Sequence, residues 1–480
     1  MNTQQTFFWY DLETTGVNSR EDRVMQFAGQ RTTLDLEPVG DPVNVLIKLS
    51  DDVLPSPDAI LITGITPQQT IADGLTEVDF LRYFQSEVAV PGTIFVGFNS
   101  VRFDDEFMRF MHYRNFYDAY AWQWQDGRGR WDLLDVVRMT RALRPEGIVW
   151  PEVDGIASNR LELLTRANDI DHHNAHDALA DVQACIAVAN LIRTKQPKLF
   201  EWLLECRDKK KVTALVESGE PFVYSSGKYP SEFDKTTVVV RLAPHPGKQG
   251  SLVFDLRHDV SEFAGLSARD LASRWRWTRD PAAPPRLPVK TLQYNRCPAV
   301  APLGVLDSAS QKRVKLSLAH VQKNLALLRK ATGFQEKVLE ALAILDKEQE
   351  GRLKRQASSA DSRLYDGFIA QPDATVMGVI RAAEPSDISQ VAADFTDPRL
   401  ISLAPLYKAR NFSKLLTDDE RVAWESHRYE VLMSGGTESR LGRYMHRLGE
   451  LAETVKDAEK RYLLEELQLY AESIMPTQDF

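Results

Sequence analysis

The stretch Phe7-Phe8-Trp9-Tyr10-Asp11-Leu12-Glu13-Thr14-Thr15-Gly16 sets two carboxylates, two residues apart, into a short aromatic run. Apolar and aromatic residues stopped by Thr-Thr-Gly predict a buried strand. Side chains alternate faces along a strand, so Asp11 and Glu13 project from one side and Leu12 from the other. Neighbouring anions repel, and a fold tolerates them mainly when a cation sits between, usually a divalent metal. Taken alone, Asp-x-Glu also fits an exposed strand end whose carboxylates are simply solvated.

Around this strand lie 480 residues, enough for about two to four domains with sizeable cores. The composition, 43% hydrophobic and 26% charged, is that of a globular protein. The 3 cysteines, Cys185, Cys206 and Cys297, have no CxxC spacing, which argues against a disulfide framework or a zinc site and fits a reducing compartment. The first residues lack the basic start and apolar core of a signal peptide, and no apolar run reaches membrane-spanning length. The expected location is the cytoplasm, with no membrane partner. A net charge of −9 discourages a nucleic-acid reading without excluding it, because a binding groove needs only a local stripe of Lys and Arg.

Beyond the first strand, Val24 to Thr33 and Val43 to Leu49 read as its neighbours. Thr66 is set to cap a helix that begins at Pro67, and a further helix is expected around Glu77 to Glu87. Thr93 to Phe98 is another apolar strand, ending near Asp104-Asp105. Strands followed by alternating helices and strands predict an α/β domain with a mixed sheet. Tyr113, Phe116, Tyr117, Tyr120, Trp122, Trp124 and Trp131 then crowd together, interleaved with Arg102, Arg109, Arg114, Arg128 and Arg130. Such rings stack on unpaired bases while arginines track phosphates, although half of them are expected to be core. Helices are expected at Asp132 to Leu143 and Arg160 to Ala167, with a long one opening at Asn174 to Asp177. Pro197 and the polar stretch Gly351 to Asp361 divide the chain into 1–196, a β-rich 197–350 and a helical 351–480. The Lys209-Lys210-Lys211 run is either solvated surface or part of a binding channel.

Asp11, Glu13, Asp104, His176 and Asp181 each have a dull explanation, Asp104 for instance as a helix cap. Their order is less ordinary: Asp-x-Glu on a strand, Asp after a strand, then His-x4-Asp on a helix. With Asp-Leu-Glu-Thr-Thr-Gly at 11–16, Ile-Thr-Gly-Ile-Thr at 62–66, Gly-Phe-Asn at 97–99 and His-Asp-Ala-Leu-Ala-Asp at 176–181, this resembles the histidine-containing branch of the DEDD exonuclease superfamily. Asn99 to Glu106, Tyr113 to Tyr117, Arg130 to Val136 and Ala142 to Gly147 are similar to the bacterial exonuclease I family. So are Asn295 to Pro298, Leu364 to Phe368 and Lys408 to Phe412. Thr15 is a departure, since that family often carries an aromatic residue there.

The resemblance implies a ribonuclease H-like mixed-sheet nuclease domain, a Src-homology-3-like β-domain and a helical C-terminal domain. It implies processive, magnesium-dependent 3′ to 5′ hydrolysis of single-stranded DNA by a monomer serving DNA repair and recombination, releasing 5′-mononucleotides. Two divalent ions roughly 4 Å apart, Mg2+ or Mn2+, would be held by Asp11, Glu13, Asp104 and Asp181, stabilising the attacking and leaving oxygens. His176 would be the general base. Glu13, Arg109, Tyr120, Trp124, Arg138, Arg160 and Asn174 fall on the family's substrate-contacting positions. Arg144, beside Leu143 and Trp150, falls on its pocket for the C-terminal tail of single-stranded-DNA-binding protein, where a carboxylate needs a cation and an apolar floor. A related exonuclease preferring RNA or short oligonucleotides, and a DNA-binding scaffold with a vestigial site, are the alternatives.

Overall fold

A computed structural model of the chain describes residues 5–172, 177–353 and 359–476. Counting only these residues, the chain forms two compact units: one from within 1–129, 172–183 and 358–480, the other from within 130–171 and 184–357.

The first unit is built on β1 (Thr6–Thr14). It pairs antiparallel with β2 (Val24–Thr32), which pairs with β3 (Val43–Leu46), and runs parallel to β4 (Thr93–Gly97) on its other side. Within this unit the sheet runs β3-β2-β1-β4, and the chain leaves the unit at the start of β5 (Gly129–Asp132). The alternation expected along β1 is realised: Phe8, Tyr10 and Leu12 enter one core with Phe27, Phe84, Phe95 and Trp122. Phe7 and Trp9, also fully buried, take the other face, where the Trp9 indole donates to Thr32 Oγ1 at 3.0 Å. Thr66 and Gln69 form a capping box at the helix Pro67–Asp73, as the Thr-Pro pair predicts. The helix begun at Glu77 ends at Tyr83, and one wider turn, Phe84–Val88, swings Phe84 against Phe27 and Phe95.

The helix Asp104–Arg114 is apolar on opposite faces. Phe107, Met108 and Met111 pack on the β1 core, whereas Phe110 and Tyr113 pack with Leu364, Leu400, Leu403 and Tyr407 from the helical end of the chain. Charged groups seal the same junction. Arg410 reaches Asp52 at 2.7 Å and Asp361 at 2.8 Å, and Arg23 reaches Asp361 at 3.0 Å, all nearly out of solvent. The two arginines hold the Asp361 carboxyl far below its ordinary range despite its burial. Removing one member of such a group strands a buried charge, at a cost of about 3–5 kcal/mol. Asp361 therefore belongs to the interior of this unit, whereas the polar composition around it predicts a linker.

The second unit contains the helix Leu133–Leu143, capped by the Asp132 carboxylate, and a small ribbon of β6 (Glu152–Val153) and β7 (Ile156–Ala157). Its main sheet is antiparallel, in the order β11-β10-β9-β8-β12, from β8 (Phe222–Ser225), β9 (Thr236–Pro244), β10 (Gly250–Asp255), β11 (Val289–Gln293) and β12 (Ala299–Pro302). Phe222, Val239, Val253, Leu292 and Val300 from these strands close a core over Val212 and Val216. Helices follow at Ser308–Arg313, Leu318–Lys330 and Phe334–Leu353. No helix among the described residues is long and apolar enough to cross a membrane.

Candidate active site

The period of β1 puts the carboxylates of Asp11 and Glu13 side by side, and the first turn of the helix Ala178–Lys195 brings Asp181 to them. One carboxylate oxygen from each of the three lies within 4.8 Å of the others. Asp104 is the first residue of its helix, where Phe103 holds the cap position, so it is not the capping side chain its sequence context allows. Burial pushes the Asp11 carboxyl well above its usual range, and Asp104, Asp181, Glu13 and Asp177 push it further. Glu13 is driven up to about 8 by burial, then by Asp181, Asp104 and Asp177. A cluster of hard oxygen donors that raise one another's proton affinity suits a divalent ion such as magnesium, manganese or calcium rather than a thiophilic one.

Side chains that sequence reasoning did not single out support this cluster. His172 Nε2 lies 2.5 Å from Asp181 Oδ1, a contact announced by nothing in the sequence except a histidine close to the long helix. The Tyr10 hydroxyl donates to Asp105 Oδ1 at 2.7 Å, linking β1 to the residue after Asp104. Beyond β1, Thr15 is fully buried: its hydroxyl donates to Asp22 at 3.2 Å and accepts from the Arg23 amide at 2.8 Å. A Cβ on Gly16 would fall 2.5 Å from the same Asp22 carboxylate, so a larger residue there would displace the carboxylate that holds Thr15. The Thr-Thr-Gly segment thus fixes the end of β1 just after Glu13.

The remaining sequence candidates fall in different surroundings. In the first unit Arg109 is buried, giving Nη1 to Glu106 at 2.6 Å and Nη2 to Gln123 at 2.8 Å, with its guanidinium 5.4 Å from the centre of the Tyr120 ring. Tyr120 and Trp124 are exposed, whereas Tyr113, Phe116, Trp122 and Trp131 of the same stretch are core. In the second unit Arg138 is held by Asp135 at 2.6 Å, and Arg160, the cap residue of the helix Leu161–Ala167, is exposed. Arg144 donates to the Leu143 and Val305 carbonyls and lies 3.3 Å from Asp307, beside buried Leu143. Lys209, Lys210 and Lys211 open a helix capped by Asp208. His176 and Asn174 lie outside the described residues.

Comparison with known proteins places these features in one family. Residues 8–189 match the family described as "Exonuclease", 207–343 the "Exonuclease I SH3-like domain" and 358–474 the "Exonuclease I C-terminal domain". The exodeoxyribonuclease I of Escherichia coli K12 is 40% identical, over 98% of this chain and 98% of its own. The crystal structure of E. coli exonuclease I in complex with a dA16 oligonucleotide superposes with a TM-score of 0.93 at 40% identity, covering 98% of this chain and all of that one. A crystal structure described as SSB/exonuclease I in complex with the inhibitor CFAM gives 0.88 at 38% identity, covering 98% of this chain and 100% of the other. The strand-borne carboxylate pair, the helix-borne aspartates and the three domain matches agree, and the chain belongs to the exonuclease I family, an enzyme with a ribonuclease H-like nuclease domain, a Src-homology-3-like domain and a helical C-terminal domain.

Proposed function

We propose that the protein is a magnesium-dependent exodeoxyribonuclease that shortens single-stranded DNA from its 3′ end, releasing 5′-mononucleotides processively, as a cytoplasmic monomer in DNA repair and recombination. The observation that carries this reading is the convergence of Asp11, Glu13 and Asp181 oxygens within 4.8 Å, with Asp104 acting on both strand carboxylates. The E. coli relative bound to an oligodeoxynucleotide supports the substrate. Asp11, Glu13, Asp104 and Asp181 would hold the divalent ions, two per site. Bound there, such ions supply the positive charge that offsets negative charge growing on the attacking and leaving oxygens of an in-line displacement. His176 would remove the proton of the attacking water, a task that suits an imidazole because that group type changes charge near neutral pH. Tyr120 and Trp124 offer exposed rings to unpaired bases, and Arg109 stiffens Tyr120 from beneath. Arg138, Arg160 and Asn174 carry the phosphates and sugar of the strand. The functional domains follow one another as 1–196, 197–350 and 351–480.

The test is hydrolysis of matched single-stranded DNA and RNA, labelled at either end, in magnesium, manganese and chelator. Mononucleotide release from the DNA 3′ end is expected with either ion and none with chelator. Faster RNA cleavage, or release starting at the 5′ end, overturns the proposal. The crystal structure described as SSB/exonuclease I supports docking of a single-stranded-DNA-binding protein tail, for which Arg144 is the proposed cation. Arg144→Ala is expected to weaken stimulation by that tail several-fold while turnover on naked DNA stays unchanged. Equal loss in both assays would assign Arg144 to DNA instead.

A further inference from the structure

The fold holds the carboxylates of the site in different ways. Asp11 and Glu13 ride on β1, which is locked between β2 and β4. Asp104 opens a helix whose next residue, Asp105, is tied back to Tyr10 on β1 at 2.7 Å. Asp181 arrives from another element, the first turn of the helix Ala178–Lys195, where Asp177 Oδ1 accepts from the Ala180 amide at 3.0 Å. That bond fixes the start of the helix, not the direction of the Asp181 carboxylate.

The carboxylate has a reason to turn away. Asp181 adds to the negative charge felt by both Asp11 and Glu13, and the repulsion is mutual. Before an ion neutralises the group, that repulsion favours any rotamer that takes Asp181 out of the cluster. Yet an Asp181 oxygen lies within 4.8 Å of the oxygens of the other two. His172 opposes the repulsion: its Nε2 is 2.5 Å from Asp181 Oδ1, and its side chain is only 4% exposed. An ionised carboxylate can only accept, so Nε2 is the donor. Among the described residues the converging group is Asp11, Glu13 and Asp181 without His172, which therefore touches a ligand without being one. A carboxylate offers about four lone-pair sites on two oxygens, enough to accept from the imidazole and bind an ion at once.

We infer that His172 is a positioning residue: its imidazole holds the Asp181 carboxylate turned toward Asp11 and Glu13, so that a divalent ion meets a preformed set of oxygens. This rests on the exonuclease reading and gives its metal site a supporting residue distinct from the proposed base, His176. The test is manganese binding to the full chain without DNA at one fixed pH, followed by the paramagnetic resonance signal of the free ion. His172→Ala is expected to weaken binding about 10- to 100-fold, the range that loss of an outer partner of a metal ligand produces. His172→Gln, whose amide N–H can reach the same oxygen, is expected to stay within about threefold of wild type. In an Asp181→Ala background His172→Ala is expected to change nothing further, because the histidine acts through that carboxylate. Nucleotide release by His172→Ala is expected to fall at limiting manganese and to return toward wild type in excess, while its binding of an oligothymidylate in chelator is unchanged. Wild-type manganese affinity in His172→Ala, equal weakening in His172→Gln, losses that multiply in the double variant, or loss of oligothymidylate binding alongside that of manganese each overturn the inference. If the wild-type chain binds no manganese and releases no mononucleotides, the exonuclease reading fails instead; if it does both and His172→Ala binds manganese normally, only this inference fails.

Discussion

An Asp11→Ala protein is expected to lose at least roughly a thousandfold in nucleotide release while still binding single-stranded DNA, the scale on which removing charge stabilisation from a preorganised site is felt. Asp11 stands at the centre of the repulsion: Asp104, Asp181, Glu13 and Asp177 all raise its proton affinity, so its carboxylate faces every other member of the cluster. Alanine deletes the central oxygen donor and leaves Tyr120 and Trp124, the exposed rings of the proposed substrate track, untouched. The two halves of the expectation are separable. Equilibrium binding by fluorescence anisotropy reads the track, and single-turnover release of labelled nucleotide reads the chemistry. Retained turnover would remove Asp11 from the metal site, whereas loss of binding in parallel with turnover would make it a substrate contact.

The same repulsion sets the pH dependence of stability. Glu13 loses its proton near 4.5 in the unfolded chain but only near 8 in the folded one, and Asp11 is shifted in the same direction. Between those pH values the folded state binds more protons than the unfolded state, so stability falls as pH rises. By pH 8 the metal-free protein is expected to have lost stability on the order of a few kcal/mol relative to pH 5. A divalent ion that holds the carboxylates ionised reverses this loss, so magnesium or manganese is expected to raise the melting temperature by several degrees at pH 8 and far less at pH 5. Glu13→Gln is expected to raise the metal-free melting temperature at pH 8 and to shrink the gain from added metal. A melting temperature that is flat between pH 5 and 8 without metal, or equal metal effects at both, would sink this account.

Much of the site is legible in the residues because its geometry is local. Two-residue alternation alone puts Asp11 and Glu13 on one face, and the opposing set Phe8, Tyr10 and Leu12 packs as that alternation requires. Asp181 is readable because it occupies the first turn of the long helix Ala178–Lys195, whose apolar stripe the sequence shows. What the sequence conceals is pairing over distance. Glu106 is a local i,i+3 partner of Arg109, but nothing near Arg109 says that Gln123 will also claim its guanidinium, or that it will lie under Tyr120. Asp361 reads as linker because its neighbours are polar, yet it is interior because Arg23 and Arg410, far off in sequence, converge on it. Likewise the aromatic stretch 113–131 announces rings without saying which are core, since hydrophobicity is the same for buried Trp122 and exposed Trp124.

The interior pairing of Arg23 and Asp52 with Asp361 and Arg410 also bears on how the enzyme is made. A ribosome delivers the β1 sheet early, but Asp361 emerges 338 residues after Arg23 and Arg410 emerges 358 residues after Asp52. At about 5–20 residues per second, the nuclease half waits roughly 17–70 s for its counter-charges. Until then Phe110 and Tyr113 lack the Leu364, Leu400, Leu403 and Tyr407 side chains that cover them in the folded unit, so the incomplete chain is expected to be more prone to aggregate than the complete one.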